Sequence, residues 1–429
     1  MALCVGYNFT LVMTSSGTIL GYGNNIFGPA AHIIVEHEHA SGRHAYTVTL
    51  DGGTFDSQPV MMCARMMSWA CVTRDGAVWT LGPVFGIHQT PMRLDKQTFG
   101  RSRALMVACG RKFAMLLTES GQVWTCGHST HGELGHGNFD DCLAMTQIDP
   151  QSFHGEHIKF IAAGGEHSMA LSSGGRHLWT WGDNRWHIGC LSRDINAPLD
   201  GPPGIFAVPG LVAANTFDGV PVRSIAASWC ATIVVTEDGS MWGSGCNFFG
   251  ELGFEDPDNR LLLERVAGAE IFGQGGVRMV SCQLNSTTIL SQLGQIWTCG
   301  EHYERVPTLL PDTIGFTNAD IVCVDSGNFT SAMLTEDGSH YMLAWANAVI
   351  VAPMPDVIDE TIGRWQHMPP DEQHRAMAFA QGTHPRLGYE GDYIMAPVEA
   401  LEMVWQFLRF RPSPHASTGL RTLMGFGPR

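Results

Sequence analysis

The chain has 429 residues, with 25 Lys and Arg against 41 Asp and Glu and a formal net charge of −16. At 44% hydrophobic and 15% charged it is too apolar for a disordered chain. Its 50 glycines and 22 prolines follow no Gly-X-Y period, which excludes collagen and supplies many tight turns. Only Lys96, Lys112 and Lys159 are lysines; the other basic residues are arginines scattered without a basic run. An acidic chain without a basic block is poorly suited to wrapping nucleic acid. No run of about eighteen apolar residues is present, so no membrane span is expected, and residues 1–13 lack the charged n-region of a signal peptide. The 12 cysteines form no CxxC pair. They are read as reduced and structural, which fits an intracellular protein of cytoplasm or nucleus.

In chain order, one pattern recurs seven times. A small-residue start leads into an alternating apolar run, a turn ending in Gly, a second apolar run with an aromatic residue, and a further strand-ending residue. The copies are GYNFTLVMTSSGTILGYG (6–23), SWACVTRDGAVWTLG (68–82), GRKFAMLLTESGQVWTCG (110–127) and GGEHSMALSSGGRHLWTWG (164–182). They continue with SWCATIVVTEDGSMWGSG (228–245), QLNSTTILSQLGQIWTCG (283–300) and GNFTSAMLTEDGSHYMLAW (327–345). The turn glycines Gly17, Gly76, Gly121, Gly175, Gly239, Gly294 and Gly338 are about 53 residues apart on average. Two alternating runs around such a turn predict a hairpin. The spacing leaves room for two more short strands, including Ile158–Ala162 and Val222–Ala226. Four strands per repeat make a propeller blade, whose two faces are covered only when blades pack radially. Trp79, Trp124, Trp179, Trp242 and Trp297 share one register and are expected to pack between blades.

These copies resemble the regulator of chromosome condensation repeat family. The resemblance rests on the blade start, the hairpin turn, the aromatic-plus-Gly strand end and the loop that follows. That loop is best kept in GHSTHGELGHGN (127–138) and GCNFFGELGFED (245–256), with a degraded copy in GDNRWHIG (182–189). The resemblance covers about four-fifths of the chain and implies an all-β, seven-bladed β-propeller over 1–355; after it, over 356–429, a C-terminal helical extension is expected. The first strand, near Ala2–Val5, is expected to meet the last apolar run, Ala348–Ala352, in one shared blade that closes the ring.

Two insertions interrupt the repeats. Residues 194–221 are rich in Pro and Gly and are expected to form a long surface loop rather than a strand. Residues 31–59 carry His32, His37, His39 and His44; a solvated loop is expected there in preference to a metal site. Beyond Pro355, segments 371–381 and 397–410 read as helices. The second places Leu401, Val404, Trp405 and Leu408 on one apolar face. From Trp405 onward the chain has Arg409, Arg411, Arg421 and Arg429 and no acid. Packing on the propeller rim and docking of a partner are the two readings of this helix. Segment 377–388, MAFAQGTHPRLG, resembles a C-terminal motif in proteins of large DNA viruses, which keeps a virion role open.

No G-x-S-x-G elbow, P-loop or H-E-x-x-H motif is present. His128, His131 and His136 are read as structural loop residues, so neither a metal site nor a cofactor nor an enzyme is expected. The resemblance implies guanine-nucleotide exchange on the small GTPase Ran and nucleosome binding, provided the relevant residues survive. The family's blade-start histidine, which contributes to its GTPase-facing surface, is matched only by His167 in GGEHS. The other starts read YNF, SWA, GRKF, SWC, LNS and GNF. A basic N-terminal tail of the kind that the family uses for nucleosomes is not expected ahead of the first strand. The expected function is therefore a non-catalytic scaffold that binds protein partners through its faces and loops, with His167, Trp405, Arg409 and Arg411 as candidate binding residues. The alternatives are an exchange factor for a small GTPase and a chromatin-associated or virion structural protein.

Overall fold

The structure, a computed structural model, describes residues 2–352 except for short stretches, the longest being 24–31, 193–203 and 311–320. The expected helices at 371–381 and 397–410, with Trp405, Arg409 and Arg411, lie outside the described residues. The chain divides into two compact units at Val351, and the first of them holds the repeats.

The described strands form seven sheets, numbered here in chain order. Six are four-stranded antiparallel meanders, and the first is a five-stranded sheet. Their first strands are Ala2–Val5, Pro59–Arg65, Ala104–Cys109, Ile158–Ala163, Val222–Ala227, Val277–Gln283 and Ile321–Ser326. Each contacts the first strands of its two neighbours, and the seventh contacts the first. The result is an all-β propeller with these strands around a central shaft. Arg65 of sheet 2, buried at 7% exposure, donates across the shaft to the Ala227 carbonyl of sheet 5 at 2.7 Å.

Strand alternation explains why the sheets stack. Phe113–Thr118, the second strand of sheet 3, is buried along its whole length. Phe113, Met115 and Leu117 pack against sheet 4, while Ala114 and Leu116 pack against sheet 2. A period of two thus serves two neighbours from one strand. Similar apolar clusters join sheets 1 and 2, 4 and 5, 5 and 6, and 6 and 7. The third-strand tryptophans pack where the register predicts. Trp79, Trp179, Trp242 and Trp297 each meet a Phe from the segment entering their own sheet, edge-on, at 5.4–5.6 Å between centroids. The six described turn glycines have φ between 69° and 86°, a left-handed conformation that disfavours a Cβ.

Three sequence expectations need correction. The ends do not share a blade. Ala2–Val5 pairs with Phe9–Met13 inside sheet 1, and Ala348–Ala352 is the outer strand of sheet 7. Closure runs instead through side chains. Asp325 accepts from the Val5 N–H at 2.8 Å and from Ser281 Oγ at 2.6 Å, linking sheets 1, 6 and 7. Second, segment 194–221 contains a strand, Ile205–Leu211, which forms the outer edge of sheet 4. Pro209 is tolerated there because an edge strand has a side without a ladder partner. Third, the histidine-rich insertion is a hairpin, with His32–Glu38 paired to His44–Leu50 and the latter to Ile19–Gly23. The alternation in HAYTVTL is a strand signal that the density of histidines obscured.

Candidate functional site

In an antiparallel meander, the loops after the first and third strands emerge at the same end of the sheet. On sheets 3, 4 and 5 these loops assemble a partly exposed charged cluster. Its base is the GELG loop of sheet 3. Glu133, 4% exposed, accepts from the His131 N–H at 2.8 Å and faces His131 Nδ1 at 3.3 Å. Burial raises its carboxyl group above the ordinary range. The Glu133 carbonyl accepts from Ser168 Oγ and Trp181 Nε1, each at 2.8 Å, which ties the loop to sheet 4. Of the other loop histidines, His128 Nδ1 lies 2.8 Å from Asp141, and His136 Nε2 lies 3.0 Å from Thr125 Oγ1.

Above this base sits Glu166. One carboxylate oxygen is 2.7 Å from Arg111 and the other 3.4 Å from His131 Nδ1. Asp183, at the end of the third strand of sheet 4, is held by Arg185 through Nε at 3.0 and 3.2 Å and Nη2 at 2.7 Å. Burial alone would raise the Asp183 carboxyl; the hydrogen bonds from Arg185 outweigh it and hold the group below its ordinary value. The Arg111 guanidinium lies 4.9 Å from the centroid of the Trp229 ring, within cation–π range.

The blade register explains why these residues meet. Arg111, Gly165 and Trp229 occupy the same position in successive sheets. The Arg111 N–H donates to the Gly165 carbonyl at 3.2 Å, and the Gly165 N–H donates to the Trp229 carbonyl at 3.2 Å. A Cβ on Gly165 would lie 2.7 Å from the Trp229 carbonyl oxygen and 3.1 Å from its ring. Gly165→Val is therefore expected to displace Trp229, red-shift its emission and cost about 1–3 kcal/mol. Unchanged fluorescence and denaturation midpoint would count against this packing.

His131, Glu166 and Asp183 bring potential metal-ligand atoms within 4.8 Å of one another, the one such group among the described residues. A cation there would compete with Arg111 and Arg185, which already engage the two carboxylates. The arrangement is better suited to holding fixed charges of both signs at a surface. Beside it, Cys230 and Cys246 face each other across the end of a hairpin, where the Cys246 N–H donates to the Cys230 carbonyl at 3.0 Å. The Cys246 thiol and then burial push the Cys230 thiol well above its ordinary value. Phe248 and Phe249, at the same end of sheet 5, are 59% and 43% exposed.

His167 lies beside this cluster and inside the fold. It is 1% exposed, and its Nε2 is 3.1 Å from Thr232 Oγ1 of sheet 5. Burial, followed by the charge of Arg65, pushes its imidazole down to about 3. The side chain therefore joins two blades and positions its neighbour Glu166. The sequence reading missed Arg111, Glu166, Asp183, Arg185 and Trp229. Aligning the residues ahead of each second strand would have brought Arg111 and Trp229 to notice.

The family description "Regulator of chromosome condensation (RCC1) repeat" matches residues 120–171 and, through a second repeat model, residues 158–185 and 222–251. The Ultraviolet-B receptor UVR8 of Arabidopsis thaliana is 28% identical over 309 residues, covering 66% of each chain. The Guanine nucleotide exchange factor SRM1 of Saccharomyces cerevisiae is 27% identical over 168 residues, covering 38% of this chain and 33% of that protein. The crystal structure of Prp20p from Saccharomyces cerevisiae superposes with a TM-score of 0.60 at 17% identity, covering 86% of both chains. That last likeness is one of fold.

Proposed function

Because the chain is a divergent member of the regulator of chromosome condensation repeat family, we propose that it is a non-catalytic propeller that binds a protein partner through the loop face of sheets 3–5. The observation that carries this reading is the meeting of Arg111, Glu166 and Trp229 from three successive blades in one buttressed, partly exposed patch. Arg and Trp are the residues most enriched at binding hot spots, and the exposed Phe248 and Phe249 at the same end add apolar area. Affinity capture with the full chain tests it. The paired change Arg111→Ala with Phe249→Ala is expected to reduce recovery of specifically bound protein at least tenfold while leaving the thermal midpoint within a few degrees. Undiminished recovery would refute it.

The second reading is exchange on a small GTPase. It is favoured by the similarity to SRM1 over 168 residues and by the fold shared with Prp20p, a protein with binding properties to Gsp1p and histones. Release of a fluorescent guanine nucleotide from a panel of small GTPases, accelerated at micromolar protein, would establish it; no acceleration would leave binding alone. Among the described residues, no helix is long and apolar enough to cross a membrane. We place the protein in the cytoplasm or nucleus, where free thiols persist. Trp405, Arg409 and Arg411 are proposed as a second docking element, supported by the apolar helical spacing around Trp405 and the acid-free tail.

A further inference from the structure

The thiols of Cys63 and Cys109 meet at the shaft. Cys63 is on the first strand of sheet 2 and Cys109 ends the first strand of sheet 3. Their sulfurs are 3.0 Å apart, about 1 Å beyond a disulfide bond length. Cys63 is half-buried and Cys109 is 5% exposed, so one thiol is open to a small oxidant and the other is shielded behind it. Arg65, two residues along the same strand, puts a cation beside the pair. The hydrogen bond shared with Cys63 and then burial raise the Cys109 thiol, keeping it protonated. Metal binding fits less well: among the described residues, the one group of three ligand atoms close enough to share an ion is His131, Glu166 and Asp183.

We propose that Cys63 and Cys109 are a redox modification site, at which a peroxide forms a reversible disulfide stapling sheet 2 to sheet 3 at the shaft. The Cys63 sulfur attacks one peroxide oxygen. The O–O bond breaks, a water leaves, and Cys63 becomes a sulfenic acid. The Cys109 sulfur then attacks the Cys63 sulfur. The S–S bond forms, the S–O bond breaks, and the second water carries away the Cys109 proton. Two thiols are oxidised while one peroxide is reduced to two waters.

The bond would close a loop of 46 residues in sequence separation, long enough for a marked stabilisation. The test uses the folded full chain treated with equimolar hydrogen peroxide, alkylated, digested with trypsin and mapped by mass spectrometry. The expected product joins peptides 44–65 and 104–111, which contain Cys63 and Cys109 as their only cysteines. Oxidation is expected to raise the thermal midpoint by about 5 °C, reversed by dithiothreitol and absent in Cys63→Ser. Recovery of the two peptides unlinked, with each thiol alkylated or oxidised singly, would overturn the proposal, as would a link confined to Cys230 and Cys246. The peptide map on the unaltered protein decides the matter even if the variant fails to fold.

Discussion

Asp325→Ala is expected to destabilise the propeller by about 3 kcal/mol at neutral pH. The carboxylate is the acceptor shared by the Val5 N–H and Ser281 Oγ, so its loss leaves two donors at the closing seam without it. It also removes the buried carboxylate whose charge Arg65 offsets. Ser326 strengthens the same seam, donating from its N–H and Oγ to Ser281 at 3.0 Å each, but neither bond reaches sheet 1. The measurement is the denaturant midpoint at fixed pH, and a change under about 0.5 kcal/mol would show that apolar packing alone closes the ring. Asp325 also predicts a pH dependence. Burial pushes its carboxyl up to about 6 from 3.8, against the opposing hydrogen bonds from Ser281 and Val5. Between these values the folded chain holds a proton that the unfolded chain has released. Stability from this group is therefore highest below about pH 4 and falls as pH rises to about 6, by at most about 3 kcal/mol. Asp325→Asn should remove that component of the slope. Parallel pH profiles for the variant and the natural chain would contradict the assignment.

Trp179→Ala should cost about 3–5 kcal/mol. The side chain is fully buried and packed edge-on by Phe153 at 5.6 Å, with the His177 and His154 rings at 5.7 and 6.1 Å. It lies in the cluster between sheets 3 and 4, near the hairpin turn at the end of sheet 4 away from the candidate site, so the vacancy would open between these two blades. Trp179→Phe keeps an aromatic ring in the same place and should recover more than half of the loss. Equilibrium denaturation of both variants checks this. Equal stability of Ala and Phe would mean that the ring contacts contribute little.

The repeat made most of the ring legible because each blade repeats one physical demand. A second strand buried on both faces must be apolar along its length, and a tight hairpin turn must carry Gly at positive φ. Both features recur at fixed spacing. Blade 4's outer strand was not legible because edge strands face solvent and can include residues such as Pro209. The hairpin 32–50 was hidden by its histidines. The side-chain tie at the closing seam was also illegible: it rests on Asp325 in IVCVDS, and no periodicity marks a residue used once. The same holds for the candidate site. Arg111, Glu166 and Trp229 lie far apart in sequence and meet only because adjacent blades bring one register position together. His167 stood out through its match to a family motif, yet its side chain is turned inward to Thr232.

The claim that the loop face of sheets 3–5 binds the partner is tested most directly by photocrosslinking. A photoreactive amino acid replaces Phe249 on that face in one protein and Ser120, at the exposed turn on the opposite end of sheet 3, in another. The account predicts a discrete crosslinked partner from position 249, lost with Arg111→Ala, and none from position 120. The same partner captured from position 120 and not from 249 would place binding on the other face and contradict it.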